Sequence, residues 1–443
     1  MEMTPLQNWI ARKIGVNGSE LTRELIEQYQ LQKLRATLEL VKNKSFFYRK
    51  TLAGFRSEDL SCLADLKHIP CTTAEEIRKN PLEFLCVSQD QISRVVTLQS
   101  SGTTGEPKRL YFTKEDQELT IDFFQIGMST LVSPGDKVLI LLPGKLTGSV
   151  GDLLVRGLHA MGVEGIPHGF VQNPAETLEI IIKEKVDALV GIPTQVLSLA
   201  RYRGDGGKTV PIRLKSVLLS TDYVPLAITR ELQRSWGCQV YGHYGMTEMG
   251  LGGGVECQAL NGYHLREADL YFEILNPKTA EPVPEGEEGE VVFTTLTRTG
   301  MPLIRYRTGD RARFIPEPCP CGTILKKMAQ VTGRINGALE VAGGVLTMRD
   351  LDEALFPIEG LLNFEASLSC RNDLDRLNVG VWMNQEGGEQ GIAIIHKALE
   401  SIPLVTSARK QGKLEVQVDF LGEGNPGRGP IKRTIIDLRK RGR

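Results

Sequence analysis

Short β-rich runs alternate with helical runs through the middle of the chain, at Lys137–Leu142, Leu153–Met161, Glu176–Lys185, Ala188–Ile192 and Ser216–Ser220. A strand buried on both faces needs helices to cover it, so this alternation predicts an α/β sheet. Upstream, Leu25, Leu31, Leu34, Leu38 and Val41 recur at helical spacing, which predicts an amphipathic helix over 22–42 lying on the body of the protein. Around 263–314 the pattern becomes strand-dense, with Tyr271–Leu275, Glu290–Thr295 and Arg311–Ile315, and predicts a β-rich subdomain. A hinge is expected at Gly333-Arg334-Ile335-Asn336-Gly337. Beyond it a helix near 349–356, strands at Phe364–Cys370 and Asn378–Trp382, a helix at Gly388–Glu400 and a strand at Leu414–Phe420 read as a small unit. A further strand near Leu339–Val341 would complete a ferredoxin-like β-α-β-β-α-β order. The expected architecture is a large N-terminal α/β domain with a β-rich subdomain, residues 1–333, plus a small mobile C-terminal α+β domain, residues 334–443.

Composition removes several function classes. With 53 Lys and Arg against 54 Asp and Glu the formal charge is −1, which argues against a surface built for nucleic acid. Apolar residues make up 41% of the 443, too many for a disordered chain. No run of 18 apolar residues occurs, so no membrane span is expected, and the first residues lack the apolar centre of a secretory leader. Eight scattered cysteines fit a reducing cytoplasm better than a disulfide framework.

Three motifs carry chemistry. The first is Ser100-Ser101-Gly102-Thr103-Thr104-Gly105-Glu106-Pro107-Lys108. Two glycines let backbone N–H groups approach an anion, and four hydroxyls and a lysine add donors for phosphate oxygens. It is not a Walker A loop, because Arg109 follows Lys108 where Ser or Thr is needed. The second is Tyr244-Gly245-Met246-Thr247-Glu248, after the strand-like Gln239–His243; a hydroxyl and a carboxylate at a sheet edge suit Mg²⁺, against a plain solvated turn. The third is Tyr306-Arg307-Thr308-Gly309-Asp310, where Asp310 could accept hydrogen bonds from a ribose diol or simply close a turn. Separately, Cys257, His264, Cys319 and Cys321 form a Cys₃His set suited to a closed structural zinc site, with four free side chains as the alternative.

In this order the motifs resemble the adenylate-forming superfamily of acyl-CoA synthetases, and within it the phenylacetate-CoA ligase family. Asn43–Tyr48 (NKSFFY), Leu85–Val87, Glu256-Cys257, Gly262-Tyr263-His264, Glu288–Thr295, Arg305–Asp310 and Cys319–Gly322 add to the resemblance, which runs from about residue 25 to about 335. It implies an adenylation domain over 1–333 and a mobile C-terminal domain over 334–443. It also implies an AMP-forming ligase that activates an aryl or small organic acid with ATP and passes the acyl group to coenzyme A. The loop Ser100, Ser101, Gly102, Thr103, Thr104, Gly105 and Lys108 would cradle the β- and γ-phosphates. Tyr244 and Gly245 would lie against adenine beside the loop Thr221-Asp222-Tyr223. Thr247 would meet the α-phosphate, Glu248 would hold Mg²⁺, Asp310 would bind the ribose and Arg334 would sit at the domain junction. The resemblance also implies structural zinc on the Cys₃His set.

Two departures stand out. Asn336 replaces the usual hinge Asp, and Pro430 occupies the position of the family's catalytic lysine in Gly429-Pro430-Ile431-Lys432-Arg433. Either Lys432 or Arg428 reaches in to serve instead, with Lys432 the candidate taken, or the adenylation step is weakened. The basic tail, from Lys432 to Arg443, is expected to be a solvated face, with contact to the phosphates of CoA as the alternative. Near the expected acyl pocket, around Pro143–Val150 and Pro167–Phe170, the stretch from Pro143 to Gly148 has no aromatic residue, which argues against phenylacetate itself. Of the histidines there, His159 and His168 are expected to be structural, and His243 is the pocket candidate. The expected partners are a small carboxylic acid and CoA, with no nucleic acid and no membrane, in the cytoplasm; a homodimer is left open. Two alternatives stay open: a different acyl acceptor, either a carrier protein or another cofactor, and a nucleotide-binding member impaired in turnover and acting in an assembly.

Overall fold

The computed structural model describes residues 1–98, 106–204, 210–372, 374–384, 389–423 and 432–439. Of the expected phosphate loop, Ser100, Ser101, Gly102, Thr103, Thr104 and Gly105 therefore lie outside the described residues, as does Pro430. The chain divides into two compact units.

One unit comprises Met1–Gly135, Gly144–Gly165 and Tyr241–Val331. Its helix Arg23–Lys44 starts where the Thr22 hydroxyl accepts from the Leu25 N–H and ends where Ser45 takes over. The Ser45 hydroxyl then accepts from the Tyr48 N–H and begins the helix Phe46–Thr51. The expected apolar stripe is rotated slightly: Ile26, Gln30, Leu34, Thr37, Leu38 and Val41 face inward, while Leu25 and Leu31 are half-buried. The polar members of that face have partners, since Gln30 donates to the Glu267 carbonyl and Thr37 to the Leu296 carbonyl. Strands Leu270–Leu275, Gly289–Thr295 and Tyr306–Ala312 form the expected β-rich ladder, all antiparallel. A second antiparallel run passes from Phe314–Ile315 through Lys327–Met328, Tyr263–Leu265 and Gly254–Glu256 to His243 and Tyr244. A hairpin of Arg94–Leu98 with Lys108–Phe112 brackets the phosphate-loop motif. One apolar core, including Leu34, Tyr48, Phe84, Phe293 and Tyr306, holds these elements together.

The other unit comprises Asp136–Pro143, Ile166–Val240 and Thr332–Arg443. Lys137–Ile140, Ala188–Gly191 and Ser216–Leu219 form parallel neighbours, as the alternation predicts. All four residues of each of the last two strands are buried, as expected for parallel strands covered on both faces. The C-terminal sheet runs in the order Leu414–Glu423, Leu374–Met383, Leu361–Arg371, Ile435–Asp437. The strand expected at Leu339–Val341 forms, but it pairs with Gly344–Leu346 in its own hairpin. The fourth place in the sheet goes instead to Ile435–Asp437, parallel to Leu361–Arg371. A second core, which includes Leu139, Leu189, Val217, Leu355, Phe356 and Phe364, fills this unit.

Candidate functional site

In the first unit the motif residues converge. Lys108 opens the strand Lys108–Phe112, Tyr244 closes the strand Gln239–Tyr244, and Tyr306 opens the strand Tyr306–Ala312. After Tyr244 the chain turns through Gly245 into the short 3₁₀ turn Thr247–Met249. The turn demands glycine: a Cβ at 245 would lie 2.1 Å from the Leu251 carbonyl oxygen. The turn places Glu248 inside, only 4% exposed.

There Glu248, Lys108 and Tyr306 form a closed polar triangle. The Lys108 ammonium pairs with Glu248 Oε1. The Tyr306 hydroxyl donates to the same oxygen at 3.1 Å and accepts from Lys108 Nζ at 3.1 Å. Burial works against charge on Glu248, but the Lys108 ammonium and its hydrogen bond, the turn's own backbone N–H and the Tyr306 hydroxyl together hold the carboxyl below its ordinary value. Arg298 supports the turn from behind, donating to the Glu248 carbonyl at 2.9 Å and to the Tyr111 carbonyl at 2.8 Å, with Phe112 against its guanidinium. The loop carrying Arg298 is in turn fixed by Asp116. This residue caps the helix Lys114–Met128 with Thr113 and accepts from the Thr299 and Gly300 N–H groups.

Tyr306 is placed from the N-terminal helices. The Tyr48 hydroxyl accepts from the Ile304 N–H at 2.9 Å and meets the Thr72 hydroxyl at 2.9 Å. Thr72 donates its backbone N–H to Arg305 and accepts at its carbonyl from Arg307. Arg305, between them, is fully buried against Glu273, with contacts of 3.0 and 3.1 Å. Further along the same strand as Tyr306, the buried Asp310 accepts from the Tyr244 hydroxyl at Oδ2, at 3.2 Å. Arg307 and Glu290 clamp the stretch of strand before it, with Glu290 accepting from the Gly309 N–H at 3.0 Å. Lys108, Tyr244, Glu248 and Asp310 are therefore brought together, with Thr247 half-buried at the start of the turn. Sequence alone does not mark Tyr306, Arg298 or Tyr48 as site residues; the first lies in Tyr306–Asp310 and the last in Asn43–Tyr48, whereas nothing local marks Arg298.

The thiol–imidazole set also assembles. Cys257 follows the strand Gly254–Glu256, His264 lies in Tyr263–Leu265, and Cys319 and Cys321 flank a turn. All four are buried, and their ligand atoms lie within 4.8 Å of one another. Cys257 Sγ and Cys319 Sγ are 3.7 Å apart, and Cys321 Sγ is 3.6 Å from His264 Nε2. A regular tetrahedron with Zn–S arms of about 2.3 Å and Zn–N arms of about 2.0–2.1 Å has S–S edges of about 3.8 Å and S–N edges of about 3.6 Å. The donor set fits a zinc ion, and the sulfur separation is far from the ~2.05 Å of a disulfide.

In the second unit, Thr221 takes the left-handed backbone conformation at φ 77°. The Tyr223 hydroxyl donates to Glu353 Oε1 at 2.7 Å, and Asp222 accepts from Arg433 at 3.1 Å. Lys432 is exposed and Arg334 is exposed. The expectation of a solvated basic tail does not hold for Arg433 or Arg439. Arg433 is buried against Asp352 and Asp222, and Arg439 pairs with Asp437 and Asp375. Asp352, Asp222 and Asp375 lie far away in sequence, so local composition could not reveal them; only Asp437 is a near neighbour of Arg439. His168 bonds the Gly169 carbonyl and Thr177. His243 packs beside Phe123 and Phe124, and burial pushes its imidazole down to about 4, so it is neutral near pH 7.

Solved structures of CoA ligases share this fold. 2-Hydroxyisobutyryl-CoA ligase in complex with R3-HIB-AMP matches with a TM-score of 0.76 at 20% identity, over 94% of this chain and 90% of that one. The anthranilate CoA ligase AuaEII matches with a TM-score of 0.53 at 16% identity, over 73% of this chain and 63% of that one. The chain belongs to the AMP-binding enzyme family, whose model matches residues 55–297. Phenylacetate-coenzyme A ligase of Thermus thermophilus is 27% identical over 95% of this chain and 98% of that protein. Its Escherichia coli counterpart is 29% identical over 81% of this chain and 83% of that protein. No helix among the described residues is long and apolar enough to cross a membrane.

Proposed function

We propose that this protein is an AMP-forming acid–CoA ligase. A carboxylate attacks the α-phosphorus of ATP, giving an acyl-adenylate and pyrophosphate; the CoA thiol then attacks the acyl carbon, giving the thioester and AMP. The observation that carries this reading is the buried Lys108–Glu248–Tyr306 triangle beside the Tyr244–Asp310 pair, within a family of AMP-binding enzymes.

Each of these groups suits a part of the nucleotide. Asp310 offers carboxylate oxygens to a ribose diol, and Tyr244 offers a ring face to adenine. Lys108, the last residue of the Ser100–Lys108 motif, offers an ammonium to phosphate oxygens, and Glu248 offers an oxygen to Mg²⁺. Bound there, the metal supplies positive charge against the polyphosphate. Thr247, at the start of the same turn, suits the α-phosphate. No covalent nucleophile is needed, since positioning and charge neutralisation supply the rate. In the second unit, Thr221, Asp222 and Tyr223 serve as the adenine-side loop, Arg334 serves near the ribose, and Lys432, being exposed, supplies the cation in place of the missing lysine at Pro430. Residues 1–333 act as the adenylation domain and 334–443 as the mobile one. The Cys257, His264, Cys319 and Cys321 cluster holds zinc that braces the β-rich region and leaves no coordination position for substrate. The substrate is a small or aryl carboxylic acid, and the protein works in the cytoplasm without membrane or nucleic acid.

The test is ATP–pyrophosphate exchange across a panel of carboxylic acids, followed by AMP release with and without CoA. Acid-dependent exchange with CoA-dependent AMP release supports the reading. Exchange without a CoA response points to another acceptor, and ATP binding with no exchange for any acid refutes the enzyme.

A further inference from the structure

Arg433 sits where the C-terminal segment enters its sheet, two residues before the strand Ile435–Asp437. Its guanidinium is enclosed: Phe356 lies 4.9 Å and Phe364 5.4 Å from it. Nη1 and Nη2 grip the two oxygens of Asp352 at 2.7 and 3.0 Å, and Nε reaches Asp222 Oδ2 at 3.1 Å. A planar fork held by two carboxylates and two aromatic rings has little freedom left. One guanidinium thereby joins three parts of the unit: the helix Met348–Leu355, the C-terminal strand and the loop at 221–223.

That loop needs holding. Thr221 is β-branched yet sits at φ 77°, a strained conformation that persists only when its surroundings enforce it. Two contacts immediately after it do so. Asp222 is tied to Arg433 through Oδ2 while its Oδ1 accepts from the Tyr223 N–H at 3.0 Å. The Tyr223 ring lies beside the Arg349 guanidinium, and its hydroxyl is anchored on Glu353. The helix Met348–Leu355 thus supplies three anchoring residues around the loop, Arg349, Asp352 and Glu353, of which Asp352 acts only through Arg433.

We infer that Arg433 is a positioning residue for the nucleotide: by gripping Asp222 it sets the Thr221–Tyr223 loop, and by anchoring the C-terminal segment it fixes where Lys432 emerges. This rests on the ligase reading only in taking that loop as adenine-side. It assigns the tail's first arginine to holding the loop and leaves Lys432 as its neighbour free to reach substrate.

The experiment measures binding of Mg-ATP, and separately of AMP, to the full-length protein by calorimetry, with a thermal melt on each variant. Losing a charge-assisted hydrogen bond is expected to weaken ATP and AMP binding about tenfold in Asp222→Asn and at least as much in Arg433→Met. The double variant should bind no more weakly than Arg433→Met alone, because both changes cut the same link. Asp222 is partly exposed, so Asp222→Asn should fold and melt near the wild type even if Arg433→Met does not fold. Nucleotide binding by the wild type together with unchanged binding in Asp222→Asn, or fully additive losses in the double variant, would overturn the inference while leaving the ligase reading intact. Absence of ATP and AMP binding in the wild type would instead overturn the ligase reading and the inference with it.

Discussion

Replacing Glu248 by glutamine separates two consequences of one buried charge. The carboxylate and the Lys108 ammonium are both nearly enclosed, with side-chain exposures of 6% and 10%. Removing one partner of such a pair typically costs about 3–5 kcal/mol, chiefly because the other charge is left buried. The glutamine oxygen can still accept from Lys108 and Tyr306, so the lower end, about 3 kcal/mol, is expected. At roughly 2–4 °C per kcal/mol for a unit of this size, Glu248→Gln should melt roughly 6–12 °C below wild type. Adding Lys108→Met removes the stranded ammonium and should recover most of that loss. Activity should behave differently. Acid-dependent pyrophosphate exchange should fall by about 10²–10³ in Glu248→Gln, the range seen when one preorganised charge contact is lost, and it should not return in the double variant. The assay pairs thermal melts with exchange rates across a magnesium titration. A double variant no more stable than Glu248→Gln would refute the buried-pair argument, and wild-type exchange in Glu248→Gln with unchanged magnesium dependence would refute the role.

Other outcomes follow from the same geometry. Gly245→Ala brings a methyl 2.1 Å from the Leu251 carbonyl and 2.7 Å from the His243 ring, so the turn carrying Thr247 and Glu248 must shift. Its KM for ATP should rise at least about tenfold, since small misplacement of a binding group is costly; an unchanged KM would show that the turn is not part of the site. Elemental analysis of protein purified without chelator should find about one zinc per chain. Serine at Cys319 and Cys321 together should abolish it and lower the melting temperature. Because Glu248 is held below its ordinary value of 4.5, the stability it contributes is present above that pH and drains away as pH falls through the lower folded value. Acid-unfolding curves should therefore be less steep in the Glu248→Gln/Lys108→Met variant than in the wild type.

Much of this arrangement is legible in the linear chain because each motif carries its own local geometry. The turn after Tyr244 needs Gly245, the strand Tyr306–Ala312 delivers Asp310, and the paired cysteines sit in a short turn. The alternation of strands and helices likewise exposes the parallel sheet, since buried strands are continuous apolar runs. What stays hidden is polar pairing across long separations. Arg298 looks like any loop arginine until the fold brings the Glu248 and Tyr111 carbonyls to it. Arg433 belongs to a basic run that reads as solvated, yet Asp352 and Asp222 lie 81 and 211 residues away and capture it. The strand at Leu339–Val341 was legible as a strand but not in its partner, because pairing depends on the neighbour three residues on rather than on its own pattern.

The self-balanced couple of Lys108 and Glu248 also sets terms for any visitor. A polyanion alone that draws the ammonium away strands a bare carboxylate in a dry place, and a cation alone that takes the carboxylate strands the ammonium. Either half-exchange is unfavourable, whereas an incoming salt that replaces both ends at once leaves every charge matched. Occupancy by the two components should therefore be synergistic, each raising the affinity for the other, with the resting couple acting as the threshold that lone ions fail to cross.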